Sequence, residues 1–177
     1  MDYPDLKIES PLIMDCIRGS SKAQFKVYKK YSKAMYNLAY RMMKNHEDAE
    51  DILQETFLDC FRKIESFRYE STFGAWLKKI LVNKCINQLR KKKTEFVLYE
   101  DLPVDIPEET LETIPDTSAI IKAIEMLPDG YRIVLTLYLL EGYDHSEIAQ
   151  ITGISESTSK SQYSRAKIKL REFLAKK

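Results

Sequence analysis

Three side chains that can read nucleic-acid bases recur along one predicted helix. Asn83, Asn87 and Arg90 follow one another at steps of four and three residues, which places them on one face of a helix. A side-chain amide can bind a base edge through two hydrogen bonds, and a guanidinium can bind guanine or phosphate. The segment carries seven bases and no acid: Lys78, Lys79, Lys84, Arg90, Lys91, Lys92 and Lys93. We expect nucleic-acid binding here, and the alternative is a merely solvated basic face.

Aromatic side chains accompany basic ones just before this helix and in its first turn. The residues concerned are Phe67, Arg68, Tyr69, Phe73 and Trp76. Such a surface suits an unstacked single strand, because bases stack on aromatic rings at about 1 to 3 kcal/mol per base while cations hold the backbone. Phe73 is expected to face the core. Ser71 or Thr72 is suited to cap the helix, which should end near Lys92.

An earlier predicted helix is acidic on one side. It begins after Asn45 and His46. Its expected core face is Ala49, Leu53, Phe57, Cys60 and Ile64, and its other face carries Asp48, Asp51, Gln54, Glu55 and Asp59. Acids in the first turns complement the helix dipole, so a solvated face is one interpretation. Docking onto a basic protein surface is the other.

The segment from His145 to Ser155 predicts a helix-turn-helix. A helix is followed by a turn at Gly153, which needs a positive φ, and a new helix begins with Ser155 as its N-cap. We expect the last helix to turn Tyr163, Ala166 and Leu170 inward, and to carry Glu156, Ser157, Lys160, Ser161, Gln162 and Arg165 on or near the exposed side. Small polar residues at its start can enter a major groove, and the later bases, Lys167 among them, can neutralise phosphates. A plain protein-docking module is the alternative.

Charge is distributed unevenly along the 177 residues, although the net charge is only +1. Residues 1–21 are an acidic N-terminal extension, and residues 22–93 carry 17 bases against 8 acids. Residues 94–118 hold eight acids, three prolines and no base, which predicts an extended linker. Residues 119–177 are again basic, with 9 bases against 7 acids. We therefore predict an all-α chain with two small helical domains, 22–93 and 119–177, joined by a flexible acidic linker.

Enzymatic, metal and membrane roles are not expected. His46 and His145 are isolated and should be surface or capping residues, and no glycine-rich phosphate loop or nucleophile arrangement occurs. Three scattered cysteines suit reduced thiols, with no metal and no cofactor. No apolar run is long enough to insert into a membrane, and no secretory signal is visible, so the chain is expected in the cytoplasm.

The ordered motifs resemble the extracytoplasmic-function (ECF) group of bacterial RNA polymerase sigma factors. DAEDILQETF at residues 48–57 looks like the family's polymerase-binding segment. FGAWL at residues 73–77, followed by Asn83, Asn87 and Arg90, looks like its promoter-opening and −10-reading segments. The −35-reading helix-turn-helix is matched by Leu127-Pro128, Arg132, Glu141-Gly142, Glu147-Ile148-Ala149, Gly153-Ile154-Ser155 and Ser164-Arg165-Ala166.

The resemblance implies a sigma subunit with a region 2-like helical bundle and a region 4-like helix-turn-helix. Core RNA polymerase would bind Asp48, Asp51, Gln54 and Glu55. The −10 element, duplex and then melted, would meet Phe67, Arg68, Trp76, Lys79, Asn83, Asn87 and Arg90, with the loop from Ile64 to Phe73 trapping a flipped base. The −35 DNA would meet Ser155, Glu156, Ser157, Lys160, Ser161, Arg165 and Lys167.

Two positions depart from the family pattern. Asn87 stands where relatives often carry an acid, which alters the expected base preference. Ser159 stands where relatives usually place Val, and a core-facing hydroxyl costs about 1 kcal/mol or more unless it is hydrogen-bonded. On sequence alone, Ser159→Val should stabilise the second domain.

Two further hypotheses accompany this interpretation. An inhibitory partner, an anti-sigma factor, is expected to hold the two domains together, since both expose partner-seeking faces across a flexible linker. The alternative function is an autonomous helix-turn-helix regulator that binds duplex DNA unaided.

Overall fold

The computed structural model describes residues 4–92 and 116–175, with side chains from Pro11 onward. Every regular element in these ranges is helical, which confirms the all-α prediction. The chain divides into two compact units, Met1–Gln88 and Leu89–Lys177. Most of the predicted linker lies outside the described residues. Its last two positions are helical, because the first helix of the second unit begins at Thr117.

The first unit contains four helices and a short 3₁₀ turn. These are α1 (Pro4–Ile17), α2 (Ser21–Met43), α3 (His46–Lys63), the 3₁₀ turn (Ile64–Ser66) and α4 (Phe73–Lys91). Side-chain caps fix where α2 and α3 begin. The Ala23 N–H donates to Ser20 Oγ at 3.3 Å, and the Asp48 N–H donates to Asn45 Oδ1 at 2.9 Å. Helix α4 is capped in the same way, because the Ala75 N–H donates to Thr72 Oγ1 at 3.2 Å.

The core of the first unit is formed by α2, α3 and α4. Its buried apolar side chains include Val27, Leu38, Met42, Ala49, Leu53, Phe57, Cys60, Ile64, Phe73, Leu77, Leu81 and Cys85. All five residues predicted for the core face of α3 are among them. Cys16, Cys60 and Cys85 are free and buried. Burial raises the pKa of both Cys60 and Cys85 to about 12.

Helix α1 belongs to the packed part of the first unit. It contacts α2 and the 3₁₀ turn, and it buries Ile13 and Cys16. The composition of residues 1–21 predicts only an N-terminal extension, with no helix. Two buried side chains on one helix give too short a pattern to recognise without the surface on which they pack.

In the second unit, short helices pack against one long helix. Its elements are α5 (Thr117–Glu125), α6 (Asp129–Leu135), a π-helical turn (Thr136–Leu140), α7 (His145–Thr152) and α8 (Glu156–Ala175). Ile124, Leu127, Leu135 and Ala166 are buried together at its centre. Helix α6 begins at Asp129, directly after Pro128. None of the described helices has both the length and the apolar character required to cross a bilayer.

Arg132 is a charged residue in the core of the second unit, with 1% of its surface exposed. Its guanidinium donates to the Leu127 carbonyl at 3.1 Å and pairs with Asp129 Oδ1 at 2.8 Å. Burial lowers the pKa of Arg132, although the neighbouring Asp129 acts in the opposite direction. The guanidinium therefore ties the end of α5 to the start of α6.

Candidate functional site

The acidic face of α3 is exposed as predicted. Asp51, Gln54 and Glu55 lie on the solvent side of the helix, and Asp48 is half-buried. The cap at Asn45 fixes the start of the helix and hence the direction in which this face points. Leu58, one turn further on, is 56% exposed and was not identified from the sequence. Its position at i+3 from Glu55 places an apolar side chain beside the acids.

A lysine of α4 reaches this acidic face. Lys84 Nζ lies 3.1 Å from Glu55 Oε2 and 2.8 Å from Asp59 Oδ2. From its position in the sequence, Lys84 is expected only to be one of the basic residues of the predicted nucleic-acid-binding helix. Its partners lie 25 and 29 positions earlier in the chain, so only the packing of α4 on α3 brings the three groups together.

Three aromatic rings near the start of α4 pack against one another. The ring centroids of Phe67, Phe73 and Trp76 are 5.4 to 5.5 Å apart in every pair. Phe73 is in the core as expected, and Trp76 is half-buried. Phe67 is only 6% exposed, so its ring supports the loop from within and does not stand open to solvent. This differs from the exposed stacking ring that the sequence pattern suggested.

The loop before α4 also holds a residue in the left-handed backbone region. Tyr69 has φ +57°, a backbone angle that few residues other than glycine adopt readily. Its ring packs on Phe67 with centroids 4.7 Å apart, and its hydroxyl is buried with no hydrogen-bond partner among the described residues. The adjacent Arg68 is exposed. The loop therefore carries the exposed cation of Arg68 next to the packed aromatic rings of Phe67 and Tyr69.

The predicted base-reading side chains form a single line along α4. Lys79, Asn83, Asn87 and Arg90 are all exposed, and the steps of four, four and three residues keep them on one face. The opposite side of the helix buries Leu77, Leu81 and Cys85, among others, which fixes the rotation of α4 about its axis.

The predicted helix-turn-helix is present between α7 and α8. Asp144 and Glu147 form a reciprocal capping box at the start of α7, with N–H to carboxylate distances of 2.8 and 2.9 Å. Gly153 ends α7 with φ +75°, as the turn requires. The Thr158 N–H donates to Ser155 Oγ at 3.0 Å, so Ser155 is the N-cap of α8, as predicted.

The first turns of α8 carry most of the expected DNA-contacting residues. Ser155, Glu156, Ser157 and Lys160 are exposed, whereas Ser161, Arg165 and Lys167 are half-buried. Lys160 Nζ pairs with Glu156 Oε1 at 2.6 Å, and Lys167 Nζ lies 4.8 Å from the centroid of the Tyr163 ring.

Gln162 does not lie on the exposed side of α8, and that prediction is wrong. It is 1% exposed, and its side chain packs against the backbone of α6 at Gly130. Neither amide atom has a hydrogen-bond partner among the described residues. Its burial could not be inferred from the pattern, because a glutamine among serines and basic residues on one helix is typical of a polar face.

His145 and Ser159 are partners inside the second unit. His145 Nδ1 lies 2.9 Å from Ser159 Oγ, and the imidazole stacks on the Tyr138 ring with centroids 4.4 Å apart. Ser159 is fully buried. The expectation that His145 is an isolated surface or capping residue is therefore wrong. Ser159 faces the core as expected, and the imidazole supplies the hydrogen-bond partner that offsets the cost of burying its hydroxyl.

Comparisons with known proteins agree with this two-unit arrangement. Residues 27–95 match the family Sigma-70 region 2, and residues 117–170 match Sigma-70, region 4. The chain is 31% identical over 171 residues to the ECF RNA polymerase sigma factor SigW of Bacillus subtilis, covering 89% of this chain and 91% of that protein. It is 33% identical over 150 residues to the ECF RNA polymerase sigma factor SigM of the same organism, covering 82% and 91%.

A solved structure shows the same similarity in three dimensions. The sigma factor RpoE of Bartonella quintana, in complex with the anti-sigma factor NepR, matches with a TM-score of 0.58 and 27% identity. The match covers 85% of this chain and 95% of that one.

A region 2 followed by a region 4 defines a promoter-directing sigma subunit of RNA polymerase, which recognises DNA and is not an enzyme. Within that class, the chain belongs to the ECF family of RNA polymerase sigma factors. An autonomous helix-turn-helix regulator is not favoured, because such a regulator does not account for the match to region 2.

Proposed function

We propose that the chain docks onto core RNA polymerase through the acidic face of α3. The contacting residues would be Asp48, Asp51, Gln54 and Glu55. The observation that carries this proposal is the line of exposed carboxylates and one amide on a helix that is rigidly capped and packed on its other side. A partner with a basic surface is the one that such a face attracts.

Promoter opening is assigned to the loop and to α4. Lys79, Asn83, Asn87 and Arg90 would contact the −10 element along the exposed line of α4, and Arg68 and Trp76 would hold the melted strand. Their support is the exposure of Arg68, the accessible part of Trp76 and the absence of acids between Thr72 and Lys92. Phe67 acts in this arrangement by supporting the loop beneath Arg68.

Recognition of the −35 DNA is assigned to α8. Its N-terminal end would enter the major groove with Ser155, Glu156, Ser157, Lys160 and Ser161, while Arg165 and Lys167 would meet flanking phosphates. The exposed small residues at the helix start and the cap at Ser155 support this assignment. The ion pair between Lys160 and Glu156 keeps both side chains at the protein surface.

The wider organisation follows from these roles. Residues 22–93 would be the polymerase-binding and promoter-melting domain, residues 119–177 the −35-binding domain, and residues 94–118 the tether between them. The cytoplasm is the compartment in which the polymerase and promoter are found. An anti-sigma factor is the proposed inhibitory partner, supported by the similarity to a sigma factor solved with one bound.

Transcription with purified core polymerase tests the proposal directly. The chain should direct initiation from defined start sites, and reversing charge with Asp51→Lys and Glu55→Lys should weaken polymerase binding by about tenfold or more. Asp15→Lys is a matched control, because Asp15 is an exposed acid of the same unit on a different helix. Specific binding of duplex DNA without polymerase, together with no effect of the reversals, would instead identify an autonomous regulator.

A further inference from the structure

The link between α3 and α4 is made by one lysine and two carboxylates of unequal exposure. Lys84 and Asp59 are 20% and 26% exposed, and their charged atoms are 2.8 Å apart. Glu55 is 66% exposed, and its Oε2 atom lies 3.1 Å from the same ammonium. The partly buried pair of Lys84 and Asp59 is called the anchor below. The more exposed Glu55 side chain is held to this pair through Lys84.

The proton equilibria agree with this geometry. The hydrogen bond from Lys84 lowers the pKa of Asp59, and the positive charges of Lys84, Lys63 and Arg62 act in the same direction. Burial alone would lower the pKa of Lys84, but its hydrogen bonds to Asp59 and Glu55 outweigh burial and raise it. Both Asp59 and Lys84 are therefore charged at neutral pH.

Glu55 remains accessible to a basic partner. Asp59 is paired with Arg62 as well as with Lys84, since Arg62 Nη1 lies 3.9 Å from Asp59 Oδ1, whereas Glu55 meets the ammonium of Lys84 from the solvent side. The Glu55 side chain is accessible over most of its surface, so a partner can reach it without breaking its contact with Lys84. The lysine therefore restricts the position of Glu55 more than it shields the charge.

We propose that Lys84 is a positioning residue for polymerase binding, which holds the Glu55 carboxylate in the orientation that the polymerase binds. This inference rests on the proposed docking role of α3. A free glutamate loses side-chain conformational freedom when it is fixed in an interface, and a glutamate already fixed loses less. Any gain in polymerase affinity that Lys84 provides should therefore depend on the presence of Glu55.

The test is a double-mutant cycle on the full chain, read as the Kd for purified core polymerase at fixed salt. Lys84→Met keeps the aliphatic stem and removes the ammonium, and it should raise Kd by roughly two- to tenfold. In a chain that already carries Glu55→Gln, the same change should have almost no further effect. Lys84→Arg should restore most of the affinity, because a guanidinium can pair with both carboxylates.

Matched variants separate positioning from folding and from net charge. Lys33→Met removes the same charge from an exposed site of the same unit and should leave Kd unchanged. Asp59→Asn removes the anchor and should raise Kd in the same Glu55-dependent way. This variant keeps the test decisive if Lys84→Met does not fold, as judged by its melting curve.

Several results would overturn the inference. They are an unchanged or lower Kd for Lys84→Met, or an equal loss with and without Glu55→Gln. If Asp51→Lys and Glu55→Lys weaken binding while Lys84→Met does not, only the positioning role fails. If the unaltered chain does not bind core polymerase, the proposed function fails and this inference falls with it.

Discussion

At the scale of single residues, the hydrogen bond between Ser159 and His145 decides what a hydrophobic replacement would do. Ser159→Val removes the hydroxyl and leaves His145 Nδ1 without its partner at a half-buried position. We expect the second unit to lose about 1 to 2 kcal/mol of stability, the opposite of the gain that the sequence alone suggested. Hydrogen exchange of α7 and α8 amides in the full chain measures this change.

Two companion variants test the cause of that loss. His145→Phe combined with Ser159→Val removes both hydrogen-bonding groups, and the pair should cost less than the two single changes added together. Ser146→Val makes the same replacement at an exposed position of α7 and should change little. Slower exchange in the Ser159→Val chain would contradict the assigned hydrogen bond.

The same imidazole makes the second unit sensitive to acid. Burial lowers the pKa of His145, and the charge of Lys160 adds to this, while Glu156 and Asp144 act in the opposite direction. Tyr138, Tyr163 and Ser159 complete its surroundings. The unfolded chain therefore binds the proton more readily than the folded one. Stability is fully present above the unfolded pKa of about 6.5 and declines as pH falls through that value toward the folded pKa.

Exchange rates in α7 and α8, measured at pH values on both sides of that range and corrected for intrinsic rates, should show the decline. His145→Phe should flatten the dependence, because the titrating group is gone. An equally steep pH dependence in that variant would assign the effect to another group.

At the scale of elements, the contact between α6 and α8 contains a buried amide with no partner. Gln162→Leu removes two polar atoms that the described residues leave unpaired and keeps a similar volume. We expect a gain of about 1 kcal/mol in the stability of the second unit. The measurement is urea unfolding followed by hydrogen exchange, and Gln150→Leu on the exposed side of α7 is the control. A loss of stability would indicate that the amide is satisfied in solution.

The elements that sequence predicts well are those with local signals. The caps at Thr72 and Ser155 and the turn at Gly153 each depend on side chains within a few residues, and all three are present. The π-helical turn at Thr136–Leu140 has no such local signal. Its backbone pattern depends on how α6 continues toward α7 in the folded unit, so nearby residues alone do not predict it.

The candidate site shows the same division between local and distant information. Exposed lines on α3 and α4 follow from helical periodicity, so Asp51, Glu55, Asn83 and Asn87 could be placed on surfaces from the sequence. The burial of Phe67 and Gln162 could not be predicted, because it depends on which neighbouring helix covers them. The pairing of Lys84 with Glu55 could not be predicted either, because it depends on the packing of α4 on α3.

At the scale of the whole molecule, charge is separated by function within the first unit. Six acids lie between Glu47 and Asp59 on α3, whereas the described part of α4 carries bases and no acid. One helix is thus suited to a basic protein and the next to a nucleic acid. Under the proposed roles of α3 and α4, this separation would let one packed unit hold polymerase and promoter at the same time.

The three buried cysteines allow thiol labelling to report when the first unit opens. All of them belong to the first unit, and the second unit has none. Because each thiol is buried and its pKa is raised, a thiol-specific reagent should modify the native chain more slowly than a free peptide thiol by a factor on the order of 10³.

Labelling should accelerate only when the first unit opens, so the modification rate, followed by mass spectrometry, times that opening separately from events in the second unit. Bound polymerase should slow the reaction further, whereas promoter-like duplex that engages only α8 should leave it unchanged. Rapid modification of the unliganded chain in native buffer would show that the first unit opens far more often than its packing implies.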